Sequence, residues 1–285
     1  MVEMGRYIIK KVLTNNILLA MENDRNGEEV FLIGKGIGFS KKSKDIIVSS
    51  KVDTVFVLKD RYEKEMYSQL LENTSPKIAE ISSEVVALIQ ENLSEKLNEH
   101  IHVALTDHIS FLIKRIKMGI PIENPFAMEL HALYSKEFEI AKKVVSFLEE
   151  EFTVEIPEGE VGLITLHIVS SIKGESIEDM QRISSLIQKL IELIEDYIGG
   201  KIDKTSLNYG RLVTHFKFAI ERIRRNEVLE IPAEMETLLK ENYARSYSLA
   251  WRLVKVMQND LNKKINRSEV GYIALHLYRF GVDAF

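Results

Sequence analysis

The sequence of 285 residues contains no cysteine and has only five prolines and a single tryptophan. Without cysteine the chain can form no disulfide, no thiolate nucleophile and no cysteine-ligated zinc site. It also has no long apolar run. The longest nearly apolar stretch, residues 161–172, contains His167 and is well short of the roughly 20 residues that a membrane helix needs. We therefore expect a cytoplasmic protein without membrane insertion.

A strong excess of positive charge, the simplest sign of a nucleic-acid partner, is also missing, because the net charge is −5. The charge is nevertheless unevenly distributed. Residues 1–58 contain nine Lys or Arg and seven Asp or Glu, whereas the remaining residues contain 29 basic and 36 acidic side chains. If a polyanion binds this protein, the N-terminal segment is the place to expect it.

The first 58 residues have the pattern of a small antiparallel β domain. Short runs of β-branched and aromatic residues are separated by turn-forming residues such as Thr14–Asn16 and Asn23–Gly27, where Asn and Gly tolerate the backbone conformations of hairpins. So small a sheet has a thin core and would gain from dimerisation. The predicted strands are Tyr7–Leu13, Ile17–Met21, Val30–Ile33, Asp45–Val48 and Thr54–Leu58.

After about residue 60 the apolar spacing becomes helical. Residues 76–97 place their apolar side chains on one stripe, with Ser75 as a candidate N-cap and Pro76 in the first turn. Residues 177–198 show the same spacing. The remainder of the chain is typical of amphipathic helices joined by short loops.

The helical part contains an internal repeat. Residues 160–168 and 269–277 are identical at six of nine positions, at an offset of 109 residues. Residues 108–115 match 215–222 at an offset of 107, so a two-residue insertion lies between the two matches. Repeats of this kind indicate duplicated structural units. We predict a multidomain protein: a β domain over residues 1–59, followed by two homologous all-α helical-bundle domains of about five helices each, over residues 60–172 and 173–285.

Four of the seven histidines occupy equivalent positions in the two copies, His108 with His215 and His167 with His276. Neutral imidazole is a good phosphoryl acceptor, and a phosphate adds a large local charge, so all four are candidate phosphorylation sites. The alternative is that both copies retain packed structural histidines. Three residues are candidate neighbours of a phosphate. Arg115 and Arg222 lie two helical turns beyond the first histidine of each copy and could contact it. Asp107 precedes His108 and could orient it, but Thr214 stands at the equivalent position of the second copy, so this role is not shared. Either arginine could instead pair with a carboxylate.

The other three histidines, His100, His102 and His131, have no histidine counterpart in the second copy, and we interpret them as surface or locally hydrogen-bonded residues. A zinc site is disfavoured because the histidine spacing matches no common zinc motif and cysteine is absent. We predict no metal and no cofactor.

Several segments together resemble the BglG/SacY family of transcriptional antiterminators, in particular its glucose-specific (GlcT-type) branch. The resemblance covers the whole chain in order. Its segments are residues 11–16 (KVLTNN), 33–42 (IGKGIGFSKK), 98–102 (NEHIH), 105–109 (LTDHI), 124–125 (NP) and 157–160 (PEGE), with the two Leu-His segments.

The resemblance implies that the N-terminal domain dimerises and binds an antiterminator hairpin in the leader RNA of a sugar phosphotransferase-system (PTS) operon. Such a site makes physical sense, because an aromatic ring can stack on an unpaired base, glycines allow close backbone approach, and lysines bind phosphates. The residues implied to contact RNA are Lys11, Asn16, Gly34, Lys35, Gly36 and Phe39, with Lys41 and Lys42 nearby.

The same resemblance implies that the helical domains are PTS regulation domains. The sugar permease, through its EIIB domain, would phosphorylate the first copy and switch the protein off, and the carrier protein HPr would phosphorylate the second copy. The charge would act by repacking the helical domains, which favours or breaks the RNA-competent dimer.

Two other function classes remain open at this point. A DNA-binding activator could carry the same regulation domains, but it would need a helix-turn-helix module where residues 1–58 have a β pattern. An enzyme would need a catalytic motif, and the sequence has no phosphate-binding loop, nucleophile elbow or paired acids. We therefore predict a regulator without catalytic residues.

Overall fold

A computed structural model of the chain describes residues 5–22, 28–120 and 124–284. The N-terminal part is a five-stranded antiparallel sheet in the order β4-β1-β2-β3-β5. A 3₁₀ turn over Ser49–Lys51 lies between the last two strands. The predicted hairpin turn at Asn23–Gly27 lies outside the described residues. The strands are β1 (Arg6–Val12), β2 (Ile17–Glu22), β3 (Glu29–Ile33), β4 (Ile46–Val48) and β5 (Thr54–Phe56).

Both faces of the sheet are buried. Successive side chains of a strand point to opposite sides, so alternate residues contribute to two separate apolar clusters. One face forms a cluster that includes Ile9, Leu18 and Leu32. The other face, with Phe31 and Phe56 stacked at 5.1 Å between ring centroids, packs against helical residues. Those include Tyr67 and Leu71 of helix α1 (Arg61–Asn73), Ala79 of helix α2 (Pro76–Glu91) and Val103 of helix α3 (His100–Lys117). The thin core expected from the sequence is thus extended by helices from the following segment.

The rest of the described chain is helical, as the sequence predicts. Besides α1 and α3, the helices are α2 (Pro76–Glu91), α4 (Ala127–Leu133), α5 (Ser135–Phe152), α6 (Gly159–Lys173), α7 (Ile177–Ile198), α8 (Leu207–Arg225), α9 (Ala233–Asn242), α10 (Ala244–Leu261) and α11 (Ser268–Phe280). The prediction of a β domain followed by two helical domains is confirmed. Within this part, no described helix has the length and apolar composition of a membrane span.

Local capping explains where several helices begin and end. The Ser75 hydroxyl accepts a hydrogen bond from the backbone N–H of Ile78, which confirms it as the N-cap of α2. The α2 helix ends at Glu91, earlier than the predicted residue 97. There the Asn92 side-chain amide donates to the carbonyl of Leu88, a local bond that competes with continued helix.

The chain forms two compact units. One comprises the described residues up to 120 together with 139–174, and the other comprises residues 124–138 and 175–284. The short helix α4 therefore packs in the second unit, against α7 and α8, although it lies within the first sequence repeat. Its Glu129 is fully buried there and accepts hydrogen bonds from the Tyr209 hydroxyl (2.7 Å) and the Lys204 ammonium (3.0 Å). The predicted boundary at residues 172/173 remains a prediction.

Candidate functional site

The connection between β3 and β4 presents the most exposed aromatic side chain of the sheet domain. Phe39 is 71% exposed, although an isolated phenylalanine would gain free energy from burial. Gly36, at a φ of +67°, turns the chain just before it, in a backbone conformation that favours glycine. The loop thus holds an aromatic ring out in solvent, ready to stack on a planar partner.

This loop is fastened to the turn between β1 and β2. The Asn16 side-chain oxygen accepts from the N–H of Gly36, and the Gly38 N–H donates to the Asn15 carbonyl at 2.8 Å. A Cβ on Gly38 would lie 2.5 Å from the Thr14 carbonyl oxygen, so only glycine allows this approach. Asn16 therefore orients the loop with its side-chain oxygen.

The predicted lysines surround this region to different degrees. Lys35 and Lys42 are exposed, whereas Lys41 is half-buried. Lys11, on β1, is exposed but forms an ion pair with Glu72 of α1. Gly34 is buried, and its N–H donates to the carbonyl of Asn16 at 3.0 Å. Hydrogen bonds thus link Asn16, Gly34 and Gly36 directly. Lys35, Phe39, Lys41 and Lys42 lie on the same loop, whereas Lys11 lies on β1.

Helices α3 and α6 bring together the two candidate histidines of the first copy, His108 and His167. The imidazole rings of His108 and His167 lie 4.9 Å apart between centroids. Nε2 of His108 is 3.1 Å from a carboxylate oxygen of Glu160, and the Arg115 guanidinium donates to the other oxygen at 2.7 Å. Both Glu160 and Arg115 are buried, so this is a closed network of charged and polar groups.

Burial sets the protonation state of this network. Burial alone would raise the pKa of the Glu160 carboxyl, but hydrogen bonds from His108 and Arg115 outweigh it and hold that pKa below its ordinary value. Burial lowers the pKa of His167 to about 3, and the charges of His108 and His100 act in the same direction. His167 is therefore neutral at pH 7, which is the form in which an imidazole nitrogen is a nucleophile.

Helices α8 and α11 bring together the second pair in a different arrangement. The rings of His215 and His276 stack at 3.4 Å between centroids. Nδ1 of His215 shares a hydrogen bond of 3.0 Å with the Tyr272 hydroxyl. Arg222 binds Glu269 through two hydrogen bonds of 2.8 and 3.0 Å. Burial and nearby positive charge lower the pKa of His276 to about 4, and burial also lowers the pKa of His215.

The second pair also opens onto a cavity of about 300 Å³. The imidazoles of His215 and His276 line one part of it, so a molecule in the cavity would touch both rings. Its walls are Asn208, Arg211, Leu212, His215, His276, Arg279 and Phe280.

Residues 7–65 match the CAT RNA binding domain family, and residues 83–171 and 188–280 each match the PRD domain family. The chain is 42% identical over 275 residues to the PtsGHI operon antiterminator of Bacillus subtilis, with 96% of this chain and 97% of that protein covered. It is 35% identical over 278 residues to Protein GlcT of Staphylococcus saprophyticus, with 97% and 98% covered. The crystal structure of GlcT CAT-PRDI matches 59% of this chain and 99% of that chain, at 45% identity and a TM-score of 0.56.

The chain belongs to this antiterminator family. It is an RNA-binding transcriptional antiterminator with a CAT domain followed by two PRD domains, and the PRD domains imply control by the PTS. The resemblance inferred from the sequence is thereby confirmed.

Two acidic residues of this antiterminator were missed by the sequence reasoning. Glu160 and Glu269 hold the arginines Arg115 and Arg222, so each arginine pairs with a carboxylate, one of the two alternatives that the spacing left open. The signal was present, because both glutamates open the nine-residue match between the copies. Asp107 is exposed, and within the described residues no ion pair joins it to His108.

The three histidines of the antiterminator that have no histidine counterpart in the second copy lie in different environments. His100 is exposed, with Nδ1 3.1 Å from a Glu63 carboxylate oxygen, as expected of a surface residue. His131 is half-buried beside Phe138. The surface interpretation is wrong for His102, which is buried and stacks on Phe56 at 3.9 Å. Burial lowers its pKa to about 4. Sequence spacing did not predict this contact, because it joins a strand to a distant helix.

No group of described residues has the arrangement of a metal site.

Proposed function

We propose that this antiterminator binds, as a homodimer, an RNA hairpin in the leader of a sugar PTS operon. The resemblance of the sequence to the GlcT-type branch favours the operon of the glucose permease. The observation that carries this proposal is the loop that exposes Phe39, Lys35 and Lys42 to solvent. An exposed ring flanked by cations is suited to a splayed base and its phosphates.

Dimerisation is supported by the edges of the sheet. The edge strands β4 and β5 lie at opposite edges of the sheet and expose Ile46 (56%) and Val55 (45%), apolar side chains that a second copy would cover at one edge or the other. Two copies would also present two loops to one hairpin.

RNA binding by the full-length chain tests the loop. Stacking of a base on an aromatic ring contributes about 1–3 kcal/mol, so we expect Phe39→Ala to weaken binding to a leader hairpin roughly tenfold to a hundredfold. Fluorescence anisotropy with a labelled hairpin measures this. The matched control is Phe218→Ala on α8, an equally simple loss of a half-exposed ring (50%) outside the sheet domain. Equal affinities of the Phe39 and Phe218 variants would remove Phe39 from the interface.

We further propose that the PTS controls this binding by phosphorylating the two histidine pairs, His108 and His167 in the first copy and His215 and His276 in the second. The EIIB domain of the permease and HPr are the proposed donors. In the transfer, a neutral ring nitrogen attacks phosphorus while the bond between phosphorus and the donor breaks, its electron pair going to the donor. The protein itself would act as a regulator that accepts the group and catalyses no turnover.

The first copy offers the clearest route from charge to structure. A phosphate on His108 would bring negative charge beside the buried Glu160 carboxylate, 3.1 Å from the ring nitrogen. Like charges in a buried site repel strongly, and the network around Arg115 would have to rearrange. We infer that this is how phosphorylation of the first copy switches the antiterminator off.

Mass spectrometry after incubation with HPr and permease maps the phosphate to each histidine. We expect His108→Ala to make antitermination independent of sugar, measured with a reporter gene behind the leader. Continued sugar control in this variant would move the switch to His167, and absence of phosphate from all four histidines would refute PTS control through these sites.

A further inference from the structure

The cavity of the second repeat is rimmed by two arginines that are available to a ligand. Arg211 and Arg279 are exposed, and within the described residues neither has a hydrogen bond or ion pair to a carboxylate. Arg222 in the same repeat, by contrast, is held by Glu269. Among the described residues, no acidic side chain lines the cavity. The surface formed by these residues therefore presents hydrogen-bond donors and positive charge without a neighbouring carboxylate.

Helical spacing aims both arginines at the histidine pair. Arg211 precedes His215 by four residues on α8, and Arg279 follows His276 by three residues on α11, so each arginine shares a face with its histidine. Arg279 is close enough to lower the pKa of both imidazoles. Asn208 lies two helical turns before His215 and adds an amide to the same wall.

The size and chemistry of the cavity fit a tetrahedral oxyanion. Its volume of about 300 Å³ is several times the roughly 30 Å³ that one water occupies in the liquid. A phosphate group therefore fits in the cavity without movement of the surrounding helices. Guanidinium groups bind phosphate oxygens in pairs, with a planar fork that lysine lacks.

The first repeat lacks this feature. At the offsets of the internal repeat, Ala104 stands where the second copy has Arg211, and Ser170 stands where it has Arg279. The two arginines therefore distinguish the second copy from the first, whereas the histidines are common to both.

We propose that the cavity of the second repeat is an oxyanion-binding site in which Arg211 and Arg279 bind a phosphate group. That group is either inorganic phosphate or a phosphoryl group carried by His215 or His276. The second source rests on the proposed phosphorylation, and the first does not.

The first arm of the test uses inorganic phosphate and the full-length protein without any donor. Titration is followed by the NMR signals of the histidine imidazoles. We expect saturable shifts of His215 and His276 with no shift of His108 and His167, and at least tenfold weaker binding in Arg211→Gln and Arg279→Gln. The control is Arg225→Gln at the other end of α8, which removes the same charge outside the cavity.

The second arm measures the lifetime of the phosphoryl group on the second repeat after phosphorylation by a donor. We expect Arg211→Gln and Arg279→Gln to shorten it at least threefold, because the charge-assisted bonds that hold the group are lost. Arg211→Lys restores the charge without the fork and tests the geometry. Trp251 packs against the core of the second unit, so its fluorescence verifies that each variant is folded.

The outcomes separate the two sources. Phosphate binding that depends on both arginines establishes the site for the free ion, and an arginine-dependent lifetime alone restricts it to the bound phosphoryl group. No arginine dependence in either arm overturns the proposal. If no donor phosphorylates the wild-type chain, the proposed PTS control fails while the phosphate titration still decides whether the site exists.

Discussion

The two repeats carry the same histidines, the same arginine and the same glutamate, yet they build two different sites. In the first copy, Glu160 is fully buried and is shared between His108 and Arg115. In the second copy, Arg222 is the side-chain partner that Glu269 has among the described residues, and His215 shares a hydrogen bond with Tyr272 instead. One substitution between the copies, Leu163 against Tyr272, accounts for that alternative partner.

This difference teaches what each copy can do with added charge. The first pair is enclosed: the side chain of His108 is only 12% exposed and its nitrogen faces a carboxylate. A phosphoryl group there must disturb a buried network. The second pair faces a cavity with two arginines and can take the same group without opening. We infer that phosphorylation destabilises the arrangement of the first copy and stabilises that of the second.

The largest expected effect comes from removing the glutamates. Glu160→Ala leaves the Arg115 charge buried without a partner, which typically costs about 3–5 kcal/mol. Glu269→Ala should cost less, about 1.5–3 kcal/mol, because the Arg222 side chain is 19% exposed and can turn to water. The two losses are measured during urea unfolding. Hydrogen exchange of peptides from α3 and α6 reports the stability of the first copy, and Trp251 fluorescence reports that of the second unit.

Conservative replacements control for volume. Glu160→Gln keeps the shape and one acceptor oxygen and should lose less stability than Glu160→Ala. Equal losses for Glu160→Ala and Glu269→Ala would show that the two networks are equally buried, contrary to the comparison drawn above.

The sequence predicted the elements well and identified which histidines are equivalent in the two copies, because both depend on local spacing. Strands β1 to β5 follow from runs of β-branched residues. The contact between the His108 and His167 rings, 4.9 Å apart, was not predicted, because spacing along the chain does not show which helices pack together. Partners distant in the chain were harder to predict. The stacking of His102 on Phe56 and the burial of Glu129 of α4 beneath Tyr209 depend on tertiary packing, to which spacing is blind.

The next effect is on titration. Native His167 has a pKa of about 3 and His276 of about 4, whereas an unfolded histidine titrates near 6.5. Below about pH 6.5 these two histidines bind protons in the unfolded chain but stay neutral in the native chain. Their contribution to the free energy of unfolding is therefore most favourable above that pH. It then falls as the pH is lowered, down to about 4 for His276 and to about 3 for His167. The first copy should thus lose stability over the wider range.

Histidine NMR between about pH 8 and about pH 5 checks this directly. We expect the His167 signal to stay nearly constant and the same residue to titrate normally in the urea-unfolded chain, with assignments from His→Gln variants. A native midpoint near 6.5 for His167 would mean that the first pair is open to water, and the contrast between the copies would fall.

The smallest effect concerns the hydroxyl that only the second copy has. Tyr272→Phe removes the 3.0 Å hydrogen bond to Nδ1 of His215 but keeps the ring, which lies 4.3 Å from the Arg222 guanidinium carbon. We expect a loss of about 0.5–1.5 kcal/mol in the urea unfolding of the second unit, followed by Trp251 fluorescence. Tyr62→Phe, at an exposed position of α1, should change nothing and serves as the control.

The sharper readout of this variant is the proton on the imidazole. The hydrogen bond between Nδ1 of His215 and the Tyr272 hydroxyl couples the tautomer of His215 to this partner, and the nitrogen that keeps its lone pair is the one that can attack phosphorus. The ¹⁵N shifts of His215 should therefore report a single tautomer in the wild-type chain and a mixture in Tyr272→Phe. If the tautomer is unchanged, the hydroxyl does not orient His215, and the cavity with its two arginines is left as the feature that makes the second site different from the first.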